Sequence, residues 1–287
     1  MKLGLCLSGG GVKGAAHIGV IKALEEERIK LDCISGTSSG SIVAALYSMG
    51  YSSREMIDLF ELYAKDISKV DFFTILKIIL GLILKRKIYV EGLNNGNELG
   101  ELIQKQAEKK HIKLIKDIKM PLIIPSVNLC NGEIYIFSSL KGNRNYSDDV
   151  KVVNNIEIGK AVQASCSYPG IFCPTNVLGK KLVDGGVRQN TPWKELKEIG
   201  AGKIISVTFS ENKKEKDKIN ILDCITGSMG IMMHELYNYE IQGIDYLLNI
   251  KTDDIGLLET DKIEDLYNIG YITTKKEMSK IKEYLKK

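Results

Sequence analysis

The stretch Cys33–Ser41, Cys-Ile-Ser-Gly-Thr-Ser-Ser-Gly-Ser, constrains the fold of this chain more than any other. A short apolar run ends at Gly36, and the helical pattern Ile42-Val43-Ala44-Ala45-Leu46 begins just beyond it. Between them lies Gly36-x-Ser38-x-Gly40, the spacing of a sharp strand-to-helix turn that lifts a serine hydroxyl to the top of a sheet. In so tight a turn, side chains at the flanking positions would collide with backbone, and glycine removes the conflict. The amides and dipole at the start of the next helix favour negative charge beside Ser38. The same residues also fit a plain helix cap, because Ser39 and Ser41 are good N-caps.

Upstream, Leu3–Leu7 reads as a strand and Ser8-Gly9-Gly10-Gly11-Val12-Lys13-Gly14 as a glycine loop. Ala15–Glu27 reads as a helix with Ile18, Ile21, Ala23 and Leu24 inward, and Leu31–Ser35 as a second strand. Strand, loop, helix, strand, turn, helix is a βαβα unit, which implies a parallel sheet covered on both faces. The loop admits three uses. Gly9-x-Gly11-x-x-Gly14 has the form of a dinucleotide fingerprint, but that fingerprint expects an acidic residue at the end of the second strand, and Asp32 sits at its start. No Lys-Ser or Lys-Thr follows Gly14, which excludes a Walker A loop. Consecutive glycines can instead aim backbone amides at a neighbouring serine as an oxyanion hole. A tight turn for close helix packing accounts for Gly14 but poorly for three glycines in a row.

The chain has 287 residues, 44% hydrophobic and 26% charged, which suits a globular protein with a large core. A net charge of +4 is too mild to argue for nucleic acid and would not repel anionic lipid. Six cysteines show no C-x-x-C pair and read as reduced thiols of a cytoplasmic protein. The N-terminus runs straight into a strand, without the pattern of a secretory signal.

Further along, Pro121–Leu129 and Glu133–Ser138 read as antiparallel strands around the Asn131-Gly132 turn. Ile156–Ala164 and Trp193–Glu198 read as helices, Lys203–Phe209 as a buried strand, and Glu211–Lys218 as a charged loop. Ile221–Leu247 reads as one or two helices, Leu248–Lys251 as a last strand and Ile263–Lys287 as a helix. Residues 72–84 are almost wholly apolar and precede Lys85-Arg86-Lys87. At thirteen residues this run is too short to span a bilayer, and it suits either a core helix or an interfacial helix that meets lipid. We find no repeat, no metal-ligand cluster and no low-complexity linker. We expect residues 1–287 to form a single domain, with a motif-bearing core over about 1–210 and a helical C-terminal part over 221–287.

The glycine loop followed by the serine turn resembles the opening of the patatin-like phospholipases in their bacterial form. Two further stretches agree. Ala164-Ser165-Cys166-Ser167-Tyr168-Pro169-Gly170-Ile171-Phe172-Cys173-Pro174 resembles that family's A-S-x-x-x-P-x-x-F-x-P block, and Val183-Asp184-Gly185-Gly186 its D-G-G/A block. Leu266–Tyr271 has the look of its closing helix. The resemblance implies a three-layer α/β sandwich with a mostly parallel central sheet flanked by helices. It also implies a Ser–Asp dyad without histidine, in which Ser38 is the nucleophile, Asp184 its base, and Gly9, Gly10 and Gly11 the oxyanion hole. No metal or cofactor is implied. The substrate would be a lipid acyl ester at a membrane surface, so the cytoplasmic protein expected from its cysteines could sit peripherally at the inner membrane face. Burial of Asp184 would raise its proton affinity and make it a better base; on its own, Asp184-Gly185 is also a common turn.

Two positions depart from the family pattern. Lys13 stands where arginine is common, so a role in gripping substrate or bracing the loop loses the bidentate fork. Ser8 stands where plant members often have aspartate. Three other readings stay open. Ser38, Asp184 and His234 follow the order of an α/β-hydrolase triad, but His234 falls mid-helix and the serine turn comes early for that fold. A nucleotide-binding module on Gly9–Gly14, or a silent lipid-binding protein on the same fold, are the alternatives from other classes.

Overall fold

A computed structural model of the protein describes residues 1–67, 91–141, 147, 149–210, 221–252 and 255–287. Its elements in chain order are β1 (Leu3–Leu7), α1 (Gly14–Glu26), β2 (Cys33–Gly36), α2 (Ser39–Ser48), α3 (Ser53–Ile67), α4 (Asn97–Lys109), β3 (Leu122–Asn128), β4 (Ile134–Ser138), β5 (Val150–Val153), α5 (Ile158–Ser165), β6 (Thr175–Val177), β7 (Lys180–Asp184), α6 (Trp193–Glu198), β8 (Lys203–Ser210), α7 (Ile221–Glu240), β9 (Tyr246–Lys251) and α8 (Ile263–Lys286).

β1 is buried along its whole length, and its alternate residues serve different faces. Leu3, Leu5 and Leu7 join the large core with α1, α2, α3 and α8, while Cys6 joins a smaller one with Trp193 and Leu196 of α6. The same alternation sorts Ile204 from Ile205 on β8 and Ile123 from Ile124 on β3. A sheet that is apolar on both faces needs helices on both, and it has them. The strands pair in the order β5-β4-β3-β2-β1-β8-β9. The β1–β2, β1–β8, β2–β3 and β8–β9 pairs are parallel, and β4 runs antiparallel to β3. This is the three-layer, mostly parallel α/β architecture expected from the sequence.

One edge of β3 positions the site. Its first half pairs with β2, Ile34 beside Leu122 and Ser35 beside Ile123. β2 then leaves the sheet at the Gly36 turn. β7 takes over the vacated edge in the opposite direction, with Leu182 beside Asn128 and Asp184 beside Ser126. β2 and β7 therefore point at each other end to end along a single strand edge.

α8 closes over α1. A Cβ on Gly19 would lie 2.1 Å from Tyr267 O, and one on Gly270 would lie 2.1 Å from Ala16 O, so the two backbones touch. Lys275 and Lys282 pair with Glu27 at the rim, at 2.6 and 2.7 Å.

One boundary differs from expectation. The helix after Ile221 stops at Glu240, and Tyr246 and Leu247 already belong to β9. Gly243, at φ 83°, supplies the turn that ends the helical run early. α3, α4 and β5 add to the elements anticipated from sequence. The apolar run 72–84 and the charged stretch Glu211–Lys218 lie outside the described residues. No helix among the described residues is long and apolar enough to cross a membrane.

Candidate active site

Ser38 caps α2 with φ 52° and ψ −125°, a conformation that costs a non-glycine residue roughly 1–3 kcal/mol. Its surroundings hold it there. The Ser38 N–H donates to Ser165 Oγ at 3.0 Å, and the Ser38 carbonyl accepts from Ser41 Oγ at 2.6 Å and Ser41 N at 2.8 Å. The flanking glycines are steric necessities. A Cβ on Gly36 would lie 2.2 Å from Gly40 O, and one on Gly40 would lie 2.5 Å from Leu7 O.

The glycine loop lies against this turn. A Cβ on Gly9 would come within 3.0 Å of Ser38 Cβ. The Gly9 N–H already donates to Asn190 Oδ1 at 3.0 Å, so that amide of the loop is engaged. His17 braces the loop from below, its Nε2–H donating to Ser8 O at 2.8 Å and its ring against Phe209. Burial pulls His17 down to about 4, so it is neutral at physiological pH. The Lys13 side chain is fully buried, which favours loop support over contact with a head group.

Asp184 ends β7 at 2% exposure. Its N–H donates to Ser167 O at 3.0 Å, and its Oδ1 accepts the Gly186 N–H at 2.8 Å. Oδ2 is buried and has no hydrogen-bond partner among the described residues. Burial pushes the carboxyl up to about 7, against the opposing pull of the Ser38 hydroxyl and the Gly186 amide. Ser38 therefore lies close enough for its hydroxyl to act on the Asp184 carboxyl. Tyr63, Cys166 and Tyr168 complete the apolar wall and are themselves raised by burial and by the Asp184 charge.

The segment after Asp184 touches every motif. Gln189 N donates to Gly185 O at 2.7 Å, and Gln189 O accepts from Thr37 Oγ1 at 2.9 Å. Ser35 Oγ donates to Pro192 O at 3.0 Å. The Asn190 and Thr191 amides donate to the two oxygens of Glu240, at 2.8 and 3.1 Å. Burial pushes Glu240 up to about 7, with the nearby Glu195 charge adding to it.

The structure thus brings Ser38, Asp184 and the Gly9–Gly11 loop to one place, with Lys13 buried in the turn that follows. His234 is exposed on α7 and its ring stacks on Tyr237. Asp32 accepts the Leu3 N–H at the start of β2, the wrong end for a dinucleotide ribose. Sequence reasoning gave no role to Ser165, Asn190 or Glu240. Ser165 lies inside a block that the family resemblance had flagged, and Asn190 follows Asp184 by six residues; nothing local marks Glu240. Among the described residues no cluster could hold a metal ion.

A family model for patatin-like phospholipases matches residues 5–197. The lysophospholipase NTE1 of Meyerozyma guilliermondii is 24% identical over 94% of this chain, which spans 19% of that relative's length. An uncharacterized protein of Bacillus subtilis, YqhO, is 31% identical over 75% of this chain and 73% of its own. Among solved structures, VipD of Legionella pneumophila shares the fold with a TM-score of 0.54 at 16% identity, over 97% of this chain and 67% of that one.

Proposed function

The chain belongs to the patatin-like phospholipase family, and from that premise we propose that it is a serine acyl hydrolase cleaving a fatty acyl carboxyl ester of a lipid. Ser38 Oγ attacks the ester carbonyl while its proton passes to Asp184 Oδ2. The Gly10 and Gly11 amides receive the oxyanion. The leaving alcohol takes the proton from Asp184, and an acyl group remains on Ser38. Water then attacks that acyl group while Asp184 takes its proton; the bond from the acyl carbon to Ser38 Oγ breaks as Asp184 returns that proton to Oγ, and the fatty acid departs. A carboxyl group near 7 is half ionised at neutrality and a far better base than an exposed aspartate.

The observation that carries this reading is the end-to-end meeting of β2 and β7 on the β3 edge, with the open Oδ2 of Asp184 beside the strained Ser38. The names of the relatives make a lysophospholipid the first substrate to try. A lipid-facing surface beside the site has support in α7. Its Ile231 and Met232 stand 67% and 63% exposed, and its Met233 reaches toward Gly186.

The test is labelling with a serine-directed fluorophosphonate and peptide mapping, alongside turnover of lysophosphatidylcholine micelles. Wild type should carry the label on Ser38 and release fatty acid, and Ser38→Ala and Asp184→Asn should do neither at a comparable rate. Folded wild type that takes no label on Ser38, with or without micelles, would sink the proposal.

A further inference from the structure

We propose that Glu240 is a positioning residue for the oxyanion loop and acts through Asn190; this rests on the acyl-hydrolase reading above. Glu240 is the last residue of α7, far in sequence from every motif. Its carboxylate holds the backbone of Asn190 and Thr191 with one oxygen on each amide, and its main-chain carbonyl accepts the Trp193 Nε1–H at 2.7 Å. That clamp orients the Asn190 side chain, whose Oδ1 takes the Gly9 N–H. Gly9 in turn lies against Ser38 Cβ and sets the direction of the Gly10 and Gly11 amides that follow it.

The chain of contacts is therefore carboxylate, loop backbone, Asn190 amide, Gly9, oxyanion donors. Each link is a hydrogen bond or a covalent neighbour. A carboxylate suits this place because it alone among side chains offers two acceptor oxygens and no donor to two parallel N–H groups. Glutamine would satisfy one amide and turn its own NH2 on the other. Glu240 does not touch the reacting atoms, so its removal should loosen the donors without removing them. That should lower kcat with little change in KM, because the oxyanion forms only in the transition state.

The experiment compares steady-state turnover of lysophosphatidylcholine by wild type, Ser38→Ala, Glu240→Gln, Asn190→Ala and the double variant, with Glu235→Gln on the exposed side of α7 as control. Glu240→Gln and Asn190→Ala should each lower kcat by roughly tenfold or more and move KM less than threefold, a fraction of the loss from deleting an oxyanion donor outright. The double variant should be no slower than the slower single one, because both act through one contact. Glu235→Gln should match wild type. Asn190→Ala leaves the Glu240 clamp paired, so it reads the link even where Glu240→Gln folds poorly. Additive losses, or a full kcat in Asn190→Ala, overturn the inference while Ser38→Ala remains dead. Wild type without turnover, or Ser38→Ala that keeps it, overturns the acyl-hydrolase reading and this inference with it.

Discussion

Asp184 is a buried carboxylate and Glu240 a half-buried one, and removal from water pushes both up to about 7. Their surroundings separate them. Asp184 spends one oxygen on the Gly186 amide and leaves the other without a hydrogen-bond partner among the described residues, with the Ser38 hydroxyl acting on the same carboxyl. Glu240 commits both oxygens to the amides of Asn190 and Thr191. A raised pKa marks a buried acid and does not by itself mark a base. The unoccupied lone pair does that. Under the proposed mechanism Asp184 would be the carboxylate for proton transfer, while Glu240 holds backbone.

The largest expected effect tests the first half of that contrast. Asp184→Asn should cut kcat by roughly 10³–10⁴-fold, the scale of losing one member of a nucleophile pair. It should also stabilise the protein at pH 8 by up to about 4 kcal/mol, since Asn keeps the Gly186 contact and sheds a buried charge. Thermal unfolding at pH 8 checks the sign, and a lower melting temperature would break the comparison. Glu240→Ala should do the reverse for stability. It leaves two amides without acceptors and should cost about 2–4 kcal/mol in denaturant titrations.

The pH dependence sharpens the contrast further. The base must be ionised, so kcat/KM should rise with pH through about 7. Glu240→Gln should be slower but keep that limb; loss of the limb in this variant would make Glu240 the titrating group. For stability, the folded value of Asp184 lies above its unfolded value of 3.8. Its contribution is full below pH 3.8 and fades as pH rises through about 7. His17 works the other way, with a folded value near 4 below its unfolded 6.5. Its contribution is full above pH 6.5 and fades as pH falls toward 4. The smallest effect concerns the serine itself. Ser38→Gly should abolish labelling yet raise stability by about 1 kcal/mol, since glycine adopts φ 52° without strain.

What the sequence disclosed follows the range of the forces involved. Gly36-x-Ser38-x-Gly40 was legible because its clashes are local, Gly36 against Gly40 and Gly40 against Leu7 across one βα unit. The Asn131-Gly132 turn and the buried strands β1 and β8 were legible from the same short-range rules. Asp184 was legible only through the family resemblance; its burial depends on β7 occupying an edge of β3 that β2 has left, which no local pattern encodes. Asn190 and Glu240 were not legible at all. Fifty residues separate them, and each looks like an ordinary polar surface residue until the chain folds. The Gly9 amide belongs with them, since only the folded loop shows that Asn190 has taken it.

The close approach of α1 and α8, Gly19 against Tyr267 and Gly270 against Ala16, has a consequence for how the protein is made. β1 needs β8 as one of its two neighbours, and α1 needs the backbone of α8, which is synthesised some 250 residues later. The segment that carries the glycine loop and the serine is therefore synthesised well before α8, the helix that covers α1. Until α8 docks, one face of α1 stays open to water, and such late long-range closure is slow. The newborn chain thus passes through a stage in which its reactive turn has been written but its housing has not.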